Sequence, residues 1–248
     1  MDFRVSNPAF TSEAFSRVAR TVDSPASMTV GGTIGKTAYL LVIVLLAAGF
    51  TWGRVAEGQP SMPLMLGGLI AGLVFGLVVS FSPRQAPWAA PLYATGEGLF
   101  LGGLSALLNA RYPGVAGAAL IVTFGAAAAV LGLWRTGLVR GGGIVMKVVK
   151  VSTVGIGIAY LVSFLMSVFG FGGLSILAST SPLGIAISVF ICVIASLNLV
   201  WDFEFIESSA NSGAPKPMEW FAAFGLLVTL VWMYIEILKL LVKLARNR

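Results

Sequence analysis

The chain has 248 residues, of which 57% are hydrophobic and 10% are charged, and its mean hydropathy is +0.93. Soluble domains carry about 25% charged residues, so this composition predicts an all-α integral membrane protein. The lack of His removes the commonest metal ligand and the usual general base, and the single Cys192 excludes an internal disulfide. The net charge of +6 does not indicate nucleic acid, because anionic lipid headgroups attract basic loops.

The first 35 residues are polar and rich in Ser and Thr, which is not the pattern of a cleavable signal peptide. We expect residues 1–35 to form a mobile or interfacial segment and residues 36–248 to form a single transmembrane domain. Apolar stretches long enough to cross about 30 Å of hydrocarbon predict a seven-transmembrane-helix bundle. These stretches cover residues 36–54, 62–82, 87–110, 113–134, 146–170, 182–206 and 217–243.

The distribution of Lys and Arg predicts a cytoplasmic N-terminus. With that orientation the opposite side holds only Arg54 and Arg111 in its loops, which agrees with the positive-inside rule. The side of the C-terminal tail stays open, because its basic residues would lie outside if all seven segments cross. The cytoplasmic side would hold Arg4, Arg17, Arg20, Lys36, Arg84, Arg135, Arg140, Lys147, Lys150 and Lys216.

Glycines recur at four-residue intervals in two predicted spans. Gly68, Gly72 and Gly76 lie in the second span, and Gly98 and Gly102 lie in the third. Small residues at this interval let helix backbones approach closely in lipid. We expect these glycines to serve packing within the bundle rather than a dimer interface.

Three carboxylates lie in or at the ends of apolar segments. Glu97 is near the centre of the third span, Glu236 is just past the middle of the last, and Asp202 closes the sixth. A charge at a helix centre costs about 2.5–3.5 kcal/mol on insertion scales, so these residues are predicted to form an ion or proton site. A structural alternative for Glu236 is pairing with Lys239, three residues later on the same helix.

Four other charged residues are weaker candidates. Glu204, Glu207 and Glu219 are secondary candidates for the site and are most simply interpreted as solvated or headgroup-level residues. Arg84 is the cation between the second and third spans, and it could pair with one of the buried acids.

No enzyme motif occurs, since the sequence has no triad, no Walker loop and no HExxH. Paired carboxylates in lipid point instead to the handling of protons or cations, and oxygen ligands suit hard cations such as Ca²⁺. These residues leave the permeant ion open, with Asp202 and Glu236 as candidate ligands if it is calcium, and no cofactor is expected.

Several segments resemble the transmembrane Bax inhibitor motif family, in its long bacterial Bax-inhibitor-like branch. They are "MTVGGTIGKTAYLL", "GEGLFLGGLSA", "WDFEFIE" and "WMYIEILKLL". The resemblance implies a bundle with a central last helix, a bacterial inner membrane and a pH-sensitive calcium leak. It also implies that Asp202 and Glu236 share a proton and that Arg84 latches one of them.

The 33 residues between Asp202 and Glu236 make a longer connection than this family usually has. Either the segment around 217–224 lies outside the membrane, or the two carboxylates do not touch and Glu97 becomes the better partner of Glu236. Two other functions stay open. The protein could bind and regulate another membrane protein or a protease through its N-terminal segment, or it could be a proton-coupled transporter of a small solute that uses Glu97. The oligomeric state is not predicted.

Overall fold

The structure is a computed structural model that describes residues 27–140 and 143–247. Seven long helices lie within a few residues of the predicted apolar stretches, and a four-residue helix that was not predicted lies between the fifth and sixth of them. Residues 1–26 of the predicted N-terminal segment lie outside the described residues. The helices are α1 (Val30–Ala56), α2 (Met62–Phe81), α3 (Ala86–Arg111), α4 (Val115–Arg135), α5 (Gly143–Val168), α6 (Ser175–Ala178), α7 (Pro182–Asn211) and α8 (Met218–Arg246).

Six of these helices are long and apolar enough to cross a membrane, namely α1, α2, α4, α5, α7 and α8. The chain is thus an all-helical membrane protein with six candidate spans among the residues described. Helix α3 is not one of them, although its 26 residues give a length of about 39 Å at 1.5 Å per residue. The helix is long enough, but its sequence is rich in Ala and Gly and contains Glu97, so its mean hydropathy is too low.

The glycines of α3 explain why this helix needs so few large apolar residues. A Cβ atom on Gly98 would lie 2.5 Å from the carbonyl oxygen of Val44 in α1, and one on Gly96 would lie 2.7 Å from that of Gly68 in α2. Helix α3 therefore packs backbone to backbone between α1 and α2, and its small residues are hidden from lipid. The predicted use of Gly68, Gly98 and Gly102 for packing within the bundle agrees with these contacts.

Helix α8 has the largest buried fraction of the six candidate spans. Within its most apolar window 67% of the residues are buried, whereas the next highest value is 39%, for α7. It packs against α1, α3, α4 and α7, and its Leu227, Met233 and Leu238 are fully buried. Helix α5 is the opposite case, since only 6% of its window is buried and its main packing partner is α7. The last helix thus lies inside the bundle and α5 lies at its edge.

At each end of the bundle a hydrogen bond joins a helix terminus to a loop. The backbone N–H of Met28 donates to the carbonyl of Ala214 at 2.7 Å, which joins the start of α1 to the α7–α8 loop. We call this the N-terminal end of the bundle. At the other end, called the C-terminal end, the side chain of Asn247 donates to the carbonyl of Thr180 at 2.8 Å.

Candidate functional site

Asp202 lies on α7 with its carboxyl group directed at α8. Its polar neighbour there is the hydroxyl of Thr229. One carboxylate oxygen, Oδ2, is buried and has no hydrogen-bond partner, which is true of no other carboxylate oxygen in the described part of the chain. Buried polar atoms are nearly always paired, so this oxygen is positioned where a proton or a cation could satisfy it.

Glu236 lies on α8 and is held by two other polar side chains. The hydroxyl of Tyr160 on α5 donates to both of its carboxylate oxygens, at 3.0 and 2.9 Å. The ammonium of Lys239 donates to Oε1 of Glu236 at 2.6 Å and lies 4.4 Å from the centre of the Tyr160 ring. The predicted alternative of Glu236–Lys239 pairing is confirmed. In this conformation the charge of Glu236 is compensated within the protein.

Asp202 and Glu236 lie at different levels of the bundle. Asp202 faces Thr229, and Glu236 is seven residues further along α8, which corresponds to about 10 Å at 1.5 Å per residue. Each carboxylate has its own surroundings, and among the described residues no hydrogen bond joins the two. Helix α8 is continuous from Met218, so the segment around 217–224 is part of that helix from Met218 onward. The structure does not bring the two acids together.

Glu97 lies at the contact between α3 and α2. One of its carboxylate oxygens, Oε1, lies 2.9 Å from the position that a Cβ atom on Gly72 would take. Its hydrogen-bonding neighbour is the Tyr93 hydroxyl, one turn earlier on α3. Glu97 therefore faces α2, and neither neighbour belongs to the Asp202 or the Glu236 group.

Arg84 lies in a short 3₁₀ helix, Pro83–Gln85, between α2 and α3. This segment contacts α8, but the Arg84 side chain is exposed and forms no ion pair with any residue that the structure describes. The latch that the family resemblance implies is thus not formed in this conformation.

Glu219, interpreted from the sequence as a solvated or headgroup-level residue, is not solvated. Its side chain is fully buried in the first turn of α8 and is paired with Lys36 of α1 and with Lys216, the latter at 2.8 Å. The backbone N–H and the hydroxyl of Thr29 also donate to Oε1 of Glu219, at 2.9 and 3.0 Å. This cluster fastens the start of α1 to the start of the central helix.

Glu207 and Glu204 lie at the same end of the bundle, near the end of α7. Glu207 pairs with Arg140 at 3.3 Å, and both side chains are about half exposed. Glu204 is half-buried and lines an open polar cavity together with Glu207 and Arg140. Across the described residues no group of three or more acidic or Cys side chains could hold a metal ion.

Sequence reasoning missed Tyr160 and Lys243 as members of the polar interior. Lys243 is only 6% exposed, and its ammonium donates to the Ser188 hydroxyl at 2.7 Å and to the Gly184 carbonyl at 3.2 Å. Its position in α8, seven residues after Glu236, could have indicated that it shares the buried face of that helix. No comparable signal marks Tyr160, because its partner lies 76 residues away.

The fold and the site define a class: an all-helical membrane protein whose two most buried spans each carry a carboxylate in the interior. The family follows from a comparison with known protein families. The model of the Bax inhibitor 1 like family matches residues 7–246. Because this range covers nearly the whole chain, the protein belongs to that family, and the resemblance read from the sequence is confirmed. The chain has no significant match among curated proteins or solved structures.

Proposed function

We propose that the protein is a pH-sensitive cation leak channel, with calcium as its permeant ion, rather than an enzyme. The observation that carries this proposal is the buried, unpartnered carboxylate oxygen of Asp202 between α7 and α8. Carboxylate oxygen is a preferred ligand of Ca²⁺, and intramembrane acids mark ion and proton pathways. Membership of the Bax inhibitor 1 like family is compatible with this activity.

The proposed channel has seven crossings and a cytoplasmic N-terminus in a bacterial inner membrane. The N–H of Thr29 donates to Glu219 at 2.9 Å, so the starts of α1 and α8 lie on one side of the membrane. The helices between these two points are α1 to α5 and α7, an even number of crossings if α3 is included. Without α3 the number would be odd and the two residues would face opposite sides. The hydrogen bond therefore supports α3 as the seventh span.

In this proposal Asp202 and Glu236 form two successive ion-binding sites along α8, which we call the Asp202 station and the Glu236 station. Their separation of about 10 Å along the helix axis suits an ion that binds at one site and then moves to the next, since conduction needs several weak sites. Lys239 and Tyr160 occupy the Glu236 station, so the present conformation is closed at that level. An ion can pass only when the Lys239 ammonium leaves the carboxylate.

The predicted effect of pH follows from competition at Asp202. A proton on this carboxyl group removes the negative charge that attracts the cation, so calcium flux should fall as the pH is lowered from about 8 to 6. Asp202→Asn mimics the protonated form and should give a low flux that no longer depends on pH. The measurement is calcium entry into proteoliposomes that contain purified protein in a defined amount.

Glu207→Gln is the matched control, because it removes an acid of the same helix whose side chain is exposed and paired with Arg140. It should keep both the flux and its pH dependence. Equal flux from the wild type and from Asp202→Asn would contradict the role of Asp202. If folded protein gives no flux above that of empty liposomes, the channel proposal is rejected. That result would favour a protein that regulates a membrane partner.

A further inference from the structure

The bundle contains a cavity of about 510 Å³ that lies away from the candidate ion site. It occupies the space between α1 and α4, and α3 and α8 form its floor. None of Asp202, Glu236 and Glu97 lines it. Much of the cavity exists because small residues, including Gly49 and Gly117, line it. Its volume falls within the range of about 300–1,000 Å³ that is usual for ligand pockets.

The cavity opens sideways, towards the surroundings of the bundle. Leu45, Leu120 and Phe124 line it and are nevertheless 48%, 39% and 43% exposed. Because α1 and α4 are both candidate spans, these exposed side chains face the hydrocarbon of the bilayer. Acyl chains of lipids are therefore the molecules next to the opening.

The polar groups of the cavity are arranged along its length. Ser105 and Tyr234 on its floor are both buried, and their hydroxyls bond each other at 2.7 Å, so they satisfy one another. Trp52 and Asn109 line the cavity near the last residues of α1 and α3, where the helices approach the membrane interface. A ligand that is apolar along most of its length and polar at one end matches this distribution.

We propose that this cavity holds one acyl chain of a phospholipid from the leaflet in which α1 and α3 end. The polar headgroup lies at the level of Trp52 and Asn109, since Trp favours the membrane interface. The acyl chain runs from there along α8 towards Leu227. An empty apolar cavity gives up the dispersion contacts of its lining atoms, and an acyl chain restores them without leaving the bilayer.

The proposal is tested by filling the cavity from within. A Cβ atom added at Gly49 or at Gly117 would meet nothing within 4 Å, so a Gly49→Leu, Gly117→Leu double variant can fold while its side chains enter the cavity. Gly125→Leu is the matched control, because it lies on the same helix as Gly117, is equally open and does not line the cavity.

Native mass spectrometry of the purified protein, mixed with a single phospholipid, measures how much lipid stays bound. The wild type and Gly125→Leu should retain one phospholipid, and the double variant should retain at least about tenfold less, a difference of 1.4 kcal/mol. Equal retention by all three folded proteins would overturn the proposal.

A second measurement uses the wild type alone and does not depend on the folding of any variant. A phospholipid with a photoreactive diazirine in its acyl chain is added to proteoliposomes, and the labelled peptides are mapped. Labelling concentrated on the cavity residues of α1 and α4 is the expected result. Labelling spread evenly over the exposed faces of α2 and α5 would refute the site.

Discussion

The buried carboxylate of Glu219 should contribute more to stability than any exposed ion pair of this protein. Glu219→Gln keeps the shape of the side chain and removes its charge, so Lys36 and Lys216 lose their shared counter-ion. Breaking a fully buried pair costs about 3–5 kcal/mol. The two lysine side chains are 20% and 40% exposed, and water can therefore stabilise part of their charge. We expect the free energy of unfolding to fall by about 2–3 kcal/mol.

Thermal unfolding in detergent micelles, followed by circular dichroism, measures this loss. At roughly 2–4 °C per kcal/mol for a chain of this size, the Tm should fall by about 4–12 °C. The matched variant is Glu207→Gln, whose pair with Arg140 is about half exposed on both sides and contributes about 0–1 kcal/mol. If both variants shift the Tm equally, the Glu219 cluster does not fasten α1 to α8, and the reasoning is refuted.

Three further variants test other parts of the bundle. Lys239→Met should raise calcium flux in proteoliposomes, because it frees Glu236 from its ammonium partner; unchanged flux would contradict the closed station. Gly102→Ala should lower the free energy of unfolding by about 1–3 kcal/mol, since its Cβ would lie 2.5 Å from the Cα of Ala48; a stable variant would contradict the close packing of α1 and α3. Lys243→Met should leave thermal stability unchanged or raise it, because an ammonium that has no carboxylate partner among the described residues gives way to an apolar chain of similar length; a large loss would show that its bonds are needed.

The positions of the long helices could be predicted because lipid imposes a length of apolar sequence on each span. The i,i+3 pairing of Glu236 with Lys239 could also be predicted, since both residues belong to one helix. The burial of Glu219 could not, because its partners Lys36 and Thr29 lie 183 and 190 residues away in the sequence. A carboxylate at the start of a helix is equally typical of a solvated end, and only tertiary contacts separate the two cases.

Helix α3 shows why average hydropathy misses a buried helix in a membrane protein. Hydropathy measures how well a helix tolerates lipid, but α3 faces α1, α2, α4 and α8 and presents Ala and Gly to them. Van der Waals packing of small residues, rather than apolar side chains, stabilises such contacts. The mean hydropathy of α3 is therefore low because the helix is buried by small residues, and such a protein-facing helix can also carry an acid such as Glu97.

The polar groups on and against α8 give the strongest argument for an ion site at Asp202. This helix has the largest buried fraction of the candidate spans, so each polar atom along it needs a partner. Glu219 has two lysines, Glu236 has Lys239 and a tyrosine hydroxyl, and the Lys243 ammonium has two oxygen acceptors. Among the described residues, Oδ2 of Asp202 is the one buried carboxylate oxygen left without a partner. Because the other acids and the buried lysine named along α8 are paired, we propose that a transient ligand, a proton or a cation, satisfies this carboxylate.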